Sequence, residues 1–128
     1  AVYYSNVLGI DMGMFYKRRD YSKVVNGKNP IVAHEFLGSS VEGKDVLIVE
    51  DIIDSGRTLS YLMKILSARK PASLRLCTLL DKPDRRVTDV KVDYCAFEIE
   101  DKFVVGCGMD YKQRYRNLPY IGEVVLDE

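Results

Sequence analysis

Apolar residues fall in short runs whose period switches between that of a strand and that of a helix. Val46-Leu47-Ile48-Val49, mostly β-branched, reads as a strand buried on both faces, as in a parallel sheet. The run ends abruptly at the carboxylates Glu50-Asp51, and after Ile52-Ile53 comes the polar loop Asp54-Ser55-Gly56-Arg57-Thr58. Leu59, Leu62, Met63 and Leu66 then recur at i, i+3, i+4 and i+7, the spacing of a helix with one apolar face. Lys70-Pro71 breaks that pattern. Residues 73–80 form the next strand, a charged loop follows at 81–86, and 92–97 is another strand with Val92, Tyr94 and Ala96 on one side. Strands alternating with a helix predict an α/β fold built on a parallel sheet, whose ligands bind at the carboxyl ends of its strands. Both polar loops, 50–58 and 81–86, lie at that edge.

The flanks are less regular. Residues 1–9 resemble the back half of a helix closed by Gly9, which suggests a domain with something missing upstream. A strand is expected over 13–17, ending in the basic run Lys17-Arg18-Arg19. The polar stretch 20–30 carries the turn signal Asn26-Gly27 and the breaker Pro30, and is consistent with a loop that closes over a reactive intermediate. Residues 31–37 form a short strand holding the single histidine, His34, which reads as a half-exposed strand residue rather than a catalytic one. A final edge strand is expected over 120–126.

The 128 residues suit one domain with one core. Nineteen basic and nineteen acidic side chains cancel, so no global field favours a nucleic-acid or membrane partner. Three cysteines, Cys77, Cys95 and Cys107, sit in apolar or glycine-flanked contexts. Buried free thiols in a reducing cytoplasm are the expectation. No apolar run is long enough to span a bilayer.

The chemistry of the 50–58 stretch follows from residue types. A glycine-containing turn at a helix start presents unpaired backbone N–H groups at the positive end of the helix dipole, which is a phosphate site. Ser55 and Thr58 add hydroxyls, Gly56 allows close backbone approach, and Arg57 adds charge. The adjacent acids cannot bind phosphate, but they suit sugar hydroxyls or a hydrated Mg²⁺. Together the two halves imply a phosphorylated ribose. The plainer alternative, in which Asp54 or Ser55 merely caps the helix, leaves Glu50 and Asp51 unexplained. The spacing is not that of a P-loop.

The stretch VLIVEDIIDSGRTL resembles the phosphoribosyl pyrophosphate (PRPP) motif of type I phosphoribosyltransferases, above all the hypoxanthine-guanine phosphoribosyltransferases. LLDK at 79–82 and FEIEDKFVVG followed by DY, at 97–111, extend that resemblance over roughly residues 44–122. It implies a type I phosphoribosyltransferase-like parallel sheet flanked by helices, N-terminally incomplete, in a single domain over 1–128. It also implies purine salvage: transfer of phosphoribosyl from PRPP to a 6-oxopurine, with release of pyrophosphate and Mg²⁺ as cofactor.

Carried over by position, Glu50 and Asp51 hold the ribose hydroxyls directly or through a metal, and Asp54 is the general base. Ser55, Gly56, Arg57 and Thr58 hold the 5′-phosphate. Lys82 contacts the purine 6-oxo group, Phe103 stacks on the base, and Val104 reads its edge through the backbone. Asp110 helps hold Mg²⁺ beside the base, and Arg116 reaches pyrophosphate. The family also implies a homo-oligomer, dimer or tetramer.

The first section departs from this pattern. Residues 13–37 look more like ribose-phosphate pyrophosphokinases, with a junction near 41–44, and the family's pyrophosphate loop would lie upstream of the first helix. A pyrophosphokinase-like domain and a non-catalytic PRPP- or nucleotide-binding domain are therefore the rival readings.

Overall fold

In the computed structural model, residues 1–28 and 31–126 are described, with side chains described for all of these except 31–34. The chain divides into two compact units, Ala1–Ser40 and Val41–Glu128. Their boundary falls beside the junction expected near 41–44.

In the first unit, α1 (Val2–Leu8) ends at Gly9, whose φ of 64° is the left-handed C-cap conformation that glycine adopts without strain. The strands β1 (Met14–Arg19) and β2 (Ile31–Leu37) pair antiparallel, so the expected strand extends through the whole basic run to Arg19. The rings of Phe15 and Phe36 are 5.3 Å apart across the pair. Asn26 and Gly27 both have positive φ between the bridged residues Val25 and Lys28, the mirror-image turn their sequence predicts. His34 lies on β2 opposite Lys17, but its side chain is outside the described residues, as is Pro30.

The second unit is built on a three-stranded parallel sheet ordered β3 (Asp45–Ile53), β4 (Ser73–Asp81), β5 (Tyr94–Glu98). The helix α2 (Arg57–Ala68) connects β3 to β4 and buries Leu59, Leu62 and Leu66, as their spacing predicts. Ile53, Leu59 and Leu76 form the core cluster, with Ile48, Met63, Val90 and Val92 packed against it.

Three expectations need correction here. β3 is not buried on both faces: it is an edge strand, its burial alternates, and Leu47 and Val49 are more than half exposed. Nor does it stop at the acids, because Glu50 and Ile52 keep the parallel register with Thr78 and Leu80. The cysteines are free, but they are not buried: Cys77 is intermediate, and Cys95 and Cys107 are exposed. Cys95 sits on the outer strand β5, and Cys107 occupies a tight turn with φ of 49°. Partial desolvation, with Asp81 and Glu98 nearby, pushes the Cys95 thiol up and keeps it a poor nucleophile.

The C-terminal part forms a two-stranded antiparallel ribbon, β6 (Val104–Val105) with β7 (Gly122–Glu123). The expected strand over 120–126 thus shrinks to two residues, although the Val124 N–H still donates to the Phe103 carbonyl at 2.8 Å. Gly106, with φ of 100°, lies where any Cβ would come within 1.8 Å of the Tyr120 carbonyl oxygen. Gly106→Ala should therefore cost about 2 kcal/mol or more through strain and separation of this ribbon. Leu76→Ala, in the fully buried core, should cost about 2–5 kcal/mol. Denaturant titration of the three proteins checks both values.

Candidate functional site

Parallel pairing of β3 with β4 carries as far as Ile53 opposite Asp81, so the loops that follow the two strands emerge side by side. Backbone hydrogen bonds then join them. The Lys82 N–H donates to the Ile53 carbonyl at 3.0 Å, and the amides of Val87 and Thr88 donate to the Ser55 carbonyl at 3.0 and 3.3 Å. A third segment is attached by the Ile99 N–H, which donates to the Asp81 carbonyl at 2.8 Å. The segments holding Asp54–Thr58, Lys82 and the approach to Phe103 are thus brought to one end of the sheet.

The first of these loops enters α2 through Gly56, whose φ of 81° is left-handed. No side chain caps the helix in the usual sense: Ser55 Oγ accepts only a long 3.4 Å hydrogen bond from the Arg57 N–H, and Asp54 is engaged elsewhere. The plain capping reading therefore does not account for Asp54 and Ser55. By helix geometry the amides of Thr58 and Leu59 have no intrahelical acceptor, which suits an anion above them. Gly56 itself has a reason the sequence did not reveal. A Cβ there would meet Arg86 Cδ at 2.8 Å and Val90 Cγ2 at 3.1 Å, so the bare backbone makes room for the neighbouring loop.

Arg86 is the strut beneath. Its guanidinium pairs with Asp81 through Nη2, donates from Nε to the Asp54 carbonyl at 3.4 Å, and from Nη1 to the Val90 carbonyl at 3.4 Å. Neither partner of the Arg86–Asp81 pair is more than 18% exposed, so each charge is compensated where water reaches it poorly. Next to it, Lys82 is only 6% exposed. Among the described residues its ammonium has no ion pair, since Asp81 is occupied by Arg86. A buried ammonium without a partner is costly, and an incoming oxygen acceptor relieves that cost.

Glu50 and Asp51 are consecutive strand residues and so point to opposite faces of β3, Glu50 half-buried and Asp51 exposed. Asp51 Oδ1 accepts from the Ile52 N–H at 2.7 Å. Asp110 is bound by Arg116 at 3.1 Å and accepts from the Gln113 N–H at 2.7 Å. Arg116 also donates to the Gly108 carbonyl and to Gln113. Asp110 and Arg116 are therefore brought together as a pair.

Among the described residues there is no cluster of three or more acid, histidine or cysteine side chains able to hold a metal, so Glu50, Asp51 and Asp110 do not form one resident metal site. Scattered, partly exposed carboxylates of this kind fit a Mg²⁺ that keeps its waters and takes most of its other ligands from phosphate oxygens.

Phe103 is exposed, with its ring edge-to-face against Tyr111 at 5.3 Å, and is not a core residue. Val104 follows it at the start of β6, paired with Glu123. The sequence reading missed Arg85, whose Nε donates to Asp54 Oδ1 at 3.0 Å. The doubled arginine beside Lys82 was the available signal.

Comparison with known proteins agrees with this architecture. The profile of the phosphoribosyl transferase domain matches residues 1–112, across both compact units. The chain is 63% identical over 90 residues to hypoxanthine phosphoribosyltransferase of Salmonella typhimurium, covering 70% of this chain and 51% of that protein. It is 55% identical over 101 residues to hypoxanthine-guanine phosphoribosyltransferase of Bacillus subtilis, covering 79% and 55%. The chain thus spans about half the length of these relatives. A solved hypoxanthine-guanine phosphoribosyltransferase from Bacillus anthracis superposes with a TM-score of 0.74 at 41% identity, over 91% of this chain and 66% of that one. The enzyme from Leishmania tarentolae in complex with GMP gives 0.67 at 48%, over 69% and 52%.

Arg86→Met should strand the Asp81 carboxylate and destabilise the protein by about 3 kcal/mol, whereas pairing it with Asp81→Leu should restore much of the loss. Thermal or denaturant unfolding of the single and double variants measures this.

Proposed function

Because the chain belongs to the phosphoribosyl transferase domain family, we propose that it carries the PRPP and purine sites of a 6-oxopurine phosphoribosyltransferase. One observation supports this most: the anion-suited turn 55–58 is joined through the backbone to a loop presenting a buried, unpaired lysine, Lys82. A phosphate fits the first, and the exocyclic oxygen of hypoxanthine or guanine fits the second. Names of the relatives point the same way.

In this reading the amides and hydroxyls of Ser55, Gly56, Arg57 and Thr58 hold the 5′-phosphate, while Glu50 and Asp51 lie by the ribose. A purine nitrogen displaces pyrophosphate from C1 of PRPP through an oxocarbenium-like transition state, whose positive charge the nearby carboxylates favour. Asp54 takes the proton that the purine loses. Arg85 holds its Oδ1, and its second oxygen remains without a partner among the described residues. Lys82 donates to the 6-oxo group and so selects against adenine, which presents an amino donor there. Phe103 offers its ring to the base and Val104 its backbone. Glu50, Asp51 and Asp110 would help hold a Mg²⁺ that would supply neutralising charge to the leaving pyrophosphate, and Arg116 would reach that pyrophosphate.

We assign the two compact units to one phosphoribosyltransferase-like domain, since the family match runs through both. No helix among the described residues is long and apolar enough to cross a membrane, and a cytoplasmic homo-oligomer, dimer or tetramer, goes with this reading. The exposed Tyr3, Tyr4 and Tyr120 are available for such contacts.

Incubation with PRPP, Mg²⁺ and hypoxanthine, guanine, xanthine or adenine should release pyrophosphate only with 6-oxopurines. AMP formed from ATP and ribose 5-phosphate would instead favour a pyrophosphokinase, and saturable PRPP binding without turnover a binding domain. Asp54→Asn should lower turnover by about 10²-fold or more while leaving PRPP affinity within a few-fold. Equal losses in both would remove Asp54 from the role of base.

A further inference from the structure

We propose that Arg85 is a positioning residue that clasps the general-base loop to the base-holding turn. The proposal rests on the function assigned above and extends it to a residue which that assignment does not use. The Arg85 guanidinium donates through Nε to Asp54 Oδ1 at 3.0 Å, and its Nη1 lies 3.6 Å from Asp101 Oδ2. Asp54 belongs to the loop between β3 and α2. Asp101 belongs to the turn between β5 and β6, two residues before Phe103. Both acids favour the charged guanidinium, the Asp54 hydrogen bond most, and hold it above its ordinary range.

Arg85 is itself fixed by the chain around it. It closes a single 3₁₀ turn over Pro83–Arg85, in which its N–H donates to the Lys82 carbonyl at 3.1 Å and Pro83 restricts the first position. The turn begins directly after Lys82. One arginine therefore stands where the segments bearing the general base, the 6-oxo contact and the stacking ring meet.

Each contact taken alone is an exposed ion pair, with side chains about half accessible, and such pairs contribute little to stability. The distinctive feature is that the two carboxylates sit on different functional segments and share one cation. Loss of the clasp should leave the fold intact but let Asp54 and the turn before Phe103 drift independently. That lowers the fraction of bound complexes with base and purine in register, a kcat effect rather than a binding effect on PRPP.

The test compares Arg85→Gln, Arg85→Lys, Asp101→Asn and the double variant Arg85→Gln/Asp101→Asn. Activity is read with PRPP, Mg²⁺ and hypoxanthine, alongside amide hydrogen exchange of the proteins without substrate. Arg85→Gln and Asp101→Asn should each lower kcat by about three- to fivefold, with KM for PRPP unchanged. The double variant should be no worse than the poorer single one, and Arg85→Lys should recover part of the loss. Exchange should quicken in both 52–58 and 99–104 for Arg85→Gln. Unchanged kcat in Arg85→Gln, multiplicative losses in the double variant, or unaltered exchange in either segment would overturn the clasp. If the parent protein shows no base-dependent turnover, the transferase reading fails; coupled quickening of exchange in Arg85→Gln still supports the clasp, and its absence overturns it.

Discussion

The parallel register of β3 on β4 is the constraint from which the site follows. Ile53 pairs with Asp81, so the backbone leaving each strand does so at the same level, and the carbonyls of Ile53 and Ser55 accept amides from the second loop. A slip of one residue would turn every side chain of β3 to the other face and break those bonds together. The core of Ile53, Leu59 and Leu76 opposes such a slip, because Ile53 is both the last strand residue and a fully buried one. Packing of the core and placement of the polar loops are therefore one event, not two.

Around that register the charges are arranged by how far water reaches them. Arg86 and Asp81 neutralise each other beneath the loops, Arg85 balances Asp54 and Asp101 at the rim, and Lys82 is left between them without a carboxylate. Among the described residues Lys82 makes no ion pair. Arg86 takes Asp81, and Arg85 takes Asp54 and Asp101, so these three acids are already engaged by arginines. Gly56 belongs to the same arrangement, since its missing side chain is what lets the Arg86 stem lie under the loop.

Much of this was legible in the residues. The spacing of Leu59, Leu62 and Leu66 predicted the buried face of α2, and Asn26-Gly27 the turn beside Val25 and Lys28. The adjacency of loops 50–58 and 81–86 followed from the rule that sheet ligands gather at strand ends. The extent of β3 did not, because two acids inside an apolar strand look like its end until the partner strand supplies the register. Exposure of Leu47 and Val49 was hidden for a related reason: an apolar run is the same for an edge strand and a central one. The partners of Arg85 lie at Asp54 and Asp101, and no local pattern encodes a contact between residues so far apart in the chain. Cys95 looked buried because its neighbours are apolar, yet the whole of β5 is solvent-exposed.

The Val124 amide bound to the Phe103 carbonyl sets a limit on how the far end of the chain can vary. That bond, together with the Lys102–Glu123 ion pair, ties the aromatic's backbone to a ribbon only two residues wide. Removing Val124 would cut the one backbone bond that this residue gives to Phe103 and leave the Phe103 carbonyl without that donor.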